Sequence, residues 1–156
     1  MIFHILMNQM TTVFLSLNLL TTLSFDSEIQ SYLYGGSQEE MFFQVTNNHK
    51  TLAIKPKLDG IYSNLLVITK NSKYYFDLKS DQINPHQFVE VKNGVMGHAF
   101  RKKVKTKDYE ILEADSSLLF INHKSQEVNV NGLKVKHREY LSKGVPILYE
   151  GKRILN

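Results

Sequence analysis

The sequence predicts an all-β protein, with a β-sandwich-like N-terminal unit followed by a second small β unit. Three observations carry this. Apolar residues recur at every second position in run after run. The runs are rich in β-branched and aromatic residues, and short clusters of Asn, Gly and Ser divide them. Strands at such short spacing, with turn signals between them, point to a sandwich or barrel. No helical periodicity is sustained, and at most one helical turn is expected, between Asn84 and Val91.

In chain order, Thr12 to Leu20 reads as the first strand, half-buried, with Val13, Leu15, Leu17 and Leu19 on one face and Ser16 and Asn18 on the other. Met41–Val45 and Thr51–Ile54 flank Asn47-Asn48-His49, and Leu65–Thr69 and Tyr74–Leu78 flank Asn71-Ser72. These make two consecutive hairpins. Lys79 to Asp108 is weakly patterned and holds Pro85, Gly94 and Gly97. It is expected to join an N-terminal domain, residues 1–79, to a C-terminal unit, 108–156, so that 80–107 forms a basic connecting segment. Beyond it, Tyr109–Leu112, Ser117–Ile121 and Val145–Tyr149 read as strands. The clearest local signal is Asn131-Gly132, between Glu127–Val130 and Leu133–Lys136. A two-residue Asn-Gly loop favours a type I′ turn, which sets Val130 opposite Leu133, Val128 opposite Val135 and Glu127 opposite Lys136. Glu150-Gly151 offers a second reversal, into Lys152–Leu155.

The bulk composition suits one ordinary domain or two very small ones: 156 residues, 42% hydrophobic and 22% charged. With no Cys, disulfides, Cys-ligated zinc and a Cys nucleophile are excluded. The formal net charge of +4 permits a nucleic-acid partner without demanding one. Arg101, Lys102, Lys103, Lys105 and Lys107 fall within seven positions; the run is either a solvated loop or a dock for an acidic partner. Val13 to Phe25 is too short and too polar to span a bilayer. It also lacks the basic residues and cleavage site of a signal peptide, so the expectation is either a cytosolic chain or a mature form.

Motifs for catalysis are missing. The six His (His4, His49, His86, His98, His123 and His137) form no ligand pair at helical or strand spacing, and His86 and His98 are expected on the surface. There is no nucleophile elbow, P-loop or dinucleotide fingerprint, and Gly35-Gly36 reads as a turn. Asp26, Glu28, Glu39 and Glu40 are the carboxylates available for acid–base work, without a pattern that pairs them. No enzyme activity and no cofactor are expected. Tyr62, Tyr74, Tyr75 and Phe76 lie near Lys55, Lys57, Lys70 and Lys73 in sequence. Such interleaving suits either core aromatics with lysines outside, or a surface that stacks single-stranded nucleic acid.

Three stretches carry a family resemblance. They are Thr21-Thr22-Leu23-Ser24-Phe25 with Glu28-Ile29, then Leu52-Ala53-Ile54-Lys55-Pro56-Lys57, then Ser63–Thr69 leading into Tyr74-Tyr75-Phe76-Asp77-Leu78. In order and spacing, about half the chain (Thr11 to Lys79) resembles the N-terminal β domain of the TrbG/CagX family of conjugation and type IV secretion proteins, to which TraK-type proteins are related. The resemblance implies a structural subunit in the periplasm, in the ring-shaped core complex at the outer membrane. Its partners would be copies of itself, a small lipoprotein and an inner-membrane-spanning scaffold protein. Residues after Asp108 do not match the family's second β domain. On this reading Lys55, Pro56 and Lys57 close a strand edge, and Arg101, Lys102, Lys103, Lys105 and Lys107 face an acidic neighbour. The competing expectation is a small nucleic-acid-binding β-barrel that uses the tyrosines and the basic run.

Overall fold

The computed structural model describes residues 1–156 and contains strands, turns and no helix. The chain divides into two units: Met1–Ile2 with Met10–Lys92, and Phe3–Gln9 with Asn93–Asn156.

Unit 1 is a two-sheet sandwich. One sheet has the order β2 (Met10–Leu15), β8 (Lys73–Ser80), β7 (Tyr62–Thr69), β4 (Ile29–Tyr34). The other runs through β9 (Phe88–Asn93), β3 (Thr21–Phe25), β6 (Thr51–Pro56) and β5 (Met41–Thr46); β1 (Ile2–Ile5) is divided, with Ile2 in unit 1 and Phe3 to Ile5 in unit 2. The expected hairpins are both present, as β5–β6 and β7–β8. Asn47, Asn48 and His49 make the first turn with φ of 54°, 54° and 64°, a conformation that Asn and His adopt more readily than most residues. Inward side chains of both sheets meet in the core. Phe25 on β3 lies 5.3 Å from the Tyr74 ring and 6.4 Å from the Phe76 ring on β8, and Val13, Leu23, Leu52, Ile54, Val67 and Leu78 are fully buried. Burying each such side chain is worth about 1.5–3 kcal/mol. β2 pairs with β8, and β3 with β9, in parallel.

Unit 2 also has two four-stranded sheets. One is ordered β10 (Arg101–Lys105), β11 (Tyr109–Glu113), β12 (Leu118–Asn122), β15 (Arg138–Leu141). The other is β14 (Leu133–Val135), β13 (Val128–Val130), β16 (Ile147–Tyr149), β17 (Lys152–Leu155). The Asn131-Gly132 hairpin has the expected register, Val128 with Val135 and Val130 with Leu133. Its φ angles of 52° and 80° are those of a type I′ turn. Glu150-Gly151 repeats the conformation at 49° and 79° and reverses β16 into β17. The rings of Tyr109 on β11 and Tyr149 on β16 meet at a tilt of 37° with centroids 4.8 Å apart, which joins the two sheets of the unit.

Four expectations are corrected. The first strand ends at Leu15, because Asn18 turns left-handed at φ 63° and Leu19 N donates to Ser16 O at 3.1 Å. Leu19 and Leu20 are exposed there, and the second half of the apparent alternation belongs to a turn. Segment 80–107 is no connection: it carries β9, inserted beside β3, and β10, paired with β11. The unit boundary accordingly falls between Lys92 and Asn93. His86 is 2% exposed and not a surface residue; Phe14 N donates to its Nδ1 at 2.9 Å, while His86 N donates to Phe14 O at 2.8 Å. Lys55-Pro56-Lys57 does not close a sheet edge, because β6 runs between β3 and β5. Pro56 sits at its last position, beyond the Thr21–Ile54 end of the β3 pairing, where a missing N–H removes no bond to β3.

Candidate interaction surfaces

The basic run forms a strand at a sheet edge. β10 pairs only with β11, and all four of its Arg and Lys residues are exposed. Lysine-rich edges discourage pairing with another strand, and the β10 register is further broken by a bulge between Lys102 and Val104. Arg101 and Lys103 turn to Glu113 on β11, each at 3.3 Å, and Lys143 approaches the same carboxylate at 3.8 Å. Burial raises the Glu113 pKa, but the hydrogen bond and charge of Lys103, then the charges of Lys143 and Arg101, outweigh it and leave the carboxyl below its ordinary value. Lys102, Lys105 and Lys107 are exposed and enter none of these ion pairs. The structure thus divides the five residues: two neutralise Glu113 and three remain as free positive charge.

Of the other predicted group, Lys55 extends from the outer face of β6 with its Nζ 5.7 Å from the centre of the Phe42 ring. Pro56 is buried, and Lys57 N donates to Glu40 O at 2.8 Å. These residues lie far along the sequence from Arg101–Lys107 and in the other unit.

Sequence reasoning missed a surface on the outside of the β2–β8–β7–β4 sheet. Registers place Met10 beside Tyr75, Tyr75 beside Leu66, and Leu66 beside Leu33, one residue from each strand. Met10 is 40% exposed, Tyr75 41% and Leu33 65%, and Leu66 is half-buried. This apolar row crosses the sheet and floors a shallow depression of about 200 Å³, also lined by Tyr34, Gly35 and Asn64. Along the same face Asn64 stands opposite Asp77, and Tyr62 opposite Lys79, whose Nζ is 5.1 Å from the tyrosine ring centre. Burial raises the Asp77 pKa, partly offset by the Lys79 charge. The signal was present in the sequence as outward-facing hydrophobics, but only the pairing of β2 with β8 and of β4 with β7 aligns them.

The sandwich has an open side where β4 and β5 end the two sheets. Phe43 on β5 lies between Tyr32 and Tyr34 of β4, with ring centroids 5.2 and 5.1 Å away. Tyr34 Oη donates to Glu40 Oε2 at 2.9 Å, fixing the turn that leads into β5. Burial first, then the Glu40 hydrogen bond and charge, push the Tyr34 hydroxyl up to about 12. Gly36 leaves room for this ring, since a Cβ there would sit 2.6 Å from the Tyr34 hydroxyl oxygen and displace it.

No group of three or more His, Asp or Glu side chains in the chain is placed to hold a metal ion. No helix is long and apolar enough to cross a membrane. No protein-family model matches the chain, and no curated protein does. Among solved structures the chain is similar to the crystal structure of the S-layer protein rSbsC(31-844), at 10% identity and a TM-score of 0.35, covering 88% of this chain and 21% of that one. This chain therefore spans about a fifth of the S-layer chain it matches, and at that score the likeness carries no argument about function.

Proposed function

We propose that this chain is an assembly module that acts by contact, with no chemistry of its own. The observation that carries the reading is the row Met10–Tyr75–Leu66–Leu33, an apolar stripe that crosses all four strands of the sheet and is exposed at Met10, Tyr75 and Leu33. Apolar stripes rimmed by polar groups mark protein–protein contacts. The finer reading rests on the TrbG/CagX resemblance over Thr11 to Lys79: a structural subunit of a type IV secretion or conjugation core complex, periplasmic and associated with the outer membrane. Its partners there would be a lipoprotein, a scaffold protein and its own copies. In that setting Lys102, Lys105 and Lys107 are the residues left free to meet an acidic neighbour.

The test is the native mass of the protein isolated from cell envelopes in mild detergent, for wild type and for Leu33→Asp/Leu66→Asp. A large assembly that the double variant leaves supports the proposal. A species free of envelope partners in both overturns the secretion-complex reading. A second reading, single-stranded nucleic-acid binding, is favoured by one observation: Lys73, Tyr75, Lys79 and Tyr62 share the outward face of β7 and β8. It requires an affinity for single-stranded DNA that falls steeply with salt.

A further inference from the structure

Edge strands invite unwanted pairing, and proteins blunt them with charge, bulges, brevity or cover. The edges here follow that practice with one exception. β2 is closed by the two bonds between Phe14 and His86. The backbone of β1 is engaged by the two-way bond between His4 and Lys143. β4 is bulged between Ile29 and Ser31, and β10 is both basic and bulged. On the remaining edges, β15 opens with Arg138 and Glu139, β14 has three residues centred on Lys134, and β17 begins Lys152-Arg153. The exception is β5. Met41–Thr46 contains no charge, no Pro and no Gly, and its register with β6 is unbroken from Met41–Pro56 to Thr46–Thr51. Phe42 is 37% exposed on its outer side, while Phe43 and Val45 are only half-buried on its inner side.

The charges at the ends of β5 identify an occupant. Glu39 and Glu40 precede the strand, and His49 and Lys50 follow it in the turn. That turn is held in place, because Phe25 N donates to Lys50 O at 2.8 Å and Ile29 N to His49 O at 2.7 Å. A strand polarised in this way complements itself when reversed, acidic end to basic end, and repels itself when aligned in parallel. Outward side chains stay on one side of the joined sheet only in registers of one parity, and among these the one that sets Glu39 opposite His49 places Gln44 opposite Gln44, Phe42 opposite Thr46 and Phe43 opposite Val45.

We propose that two copies of this chain join antiparallel through β5, about a two-fold axis at Gln44, with Glu39 and Glu40 of each copy against His49 and Lys50 of the other. The interface is isologous, so one surface serves both copies. It does not depend on the secretion-complex reading and stands or falls separately.

The test exploits the absence of Cys from the chain. Gln44→Cys places two thiols opposite each other across the axis, and the full-length variant is expected to form a disulfide-linked dimer under mild oxidation. Thr46→Cys, two positions along the same face, sets its thiols roughly 13 Å apart and is expected to stay uncrosslinked. In sedimentation velocity at micromolar concentration, wild type is expected at twice the 18.1 kDa chain mass. Gln44→Lys, with an unchanged circular dichroism spectrum, is expected to be a monomer. Glu39→Lys/Glu40→Lys is expected to weaken the dimer at least tenfold, and adding His49→Glu/Lys50→Glu to restore it. A wild-type monomer at 100 µM, or a dimer indifferent to Gln44→Lys, overturns the proposal.

Discussion

Asn122 is buried in unit 2, and its side-chain amide reaches three backbone carbonyls, those of Gln126, Val135 and Lys136 at 2.9, 3.3 and 3.0 Å. Its Oδ1 accepts from Lys124 N at 3.0 Å. The residue therefore satisfies the loop between β12 and β13 and the stretch after β14 together. Asn122→Leu leaves these groups buried without their partner, and urea unfolding is expected to show a loss of about 2–4 kcal/mol. Tyr34 gives a pH dependence of definite sign. Its folded-state pKa of about 12 lies above the ordinary 10.0. Its contribution is thus complete below pH 10 and is lost as pH rises through 12. Tyr34→Phe is expected to flatten the stability profile over that window. Glu113 runs the other way. Its carboxyl is depressed, so its contribution holds above the ordinary carboxylate range and vanishes as acid protonates it. Glu113→Gln is expected to cost roughly 0.5–1 kcal/mol at pH 7 and nothing at pH 2, again by urea unfolding.

Among the elements, the two type I′ turns make a matched pair. Gly132 and Gly151 both hold φ near +80°, at 80° and 79°, with nothing near the place of a Cβ. Alanine at either site meets no clash, only the left-handed backbone penalty of about 1–2 kcal/mol. Equal losses for Gly132→Ala and Gly151→Ala in denaturant titrations are the expected result. Asn131 has a further role, since its Oδ1 accepts from Leu148 N at 2.7 Å and its Nδ2 donates to Pro146 O at 3.2 Å. The Asn-Gly turn thereby also ties its hairpin to the next strand. Such hairpins were legible in the sequence because their rules are local. The position of β9 was not, as a strand that pairs in parallel with β3 leaves no turn signal beside it. β10 was read as a loop for a related reason: edge lysines make a strand look solvated. Likewise the burial of His86 comes from a backbone contact with Phe14, distant in the chain, and the apolar row needs four strands in register before it exists. Charge and composition located the basic run and not its division around Glu113.

At the scale of the whole molecule, the chain is interleaved between its units. It begins in unit 1, contributes Phe3–Gln9 to unit 2, and returns at Met10. That short loan matters to unit 2. Phe3 is fully buried, and His4 exchanges backbone bonds with Lys143. Leu6 N donates to Ser142 Oγ at 2.9 Å, and Gln9 bonds Tyr140 O and Ser142. A fragment of residues 93–156 is therefore expected to show collapsed amide dispersion by NMR, recovering when a peptide of residues 1–9 is added. A well-dispersed spectrum from the fragment alone would contradict this.

The parallel pairing of β2 with β8 also bears on how the protein is made. Within its sheet β2 has no neighbour except β8, which emerges from the ribosome long after it. At roughly 5–20 residues per second, Val13, Phe14 and Leu15 wait several seconds on the nascent chain with no sheet to join. Until β8 is complete through Ser80, these three residues have no strand to pair with.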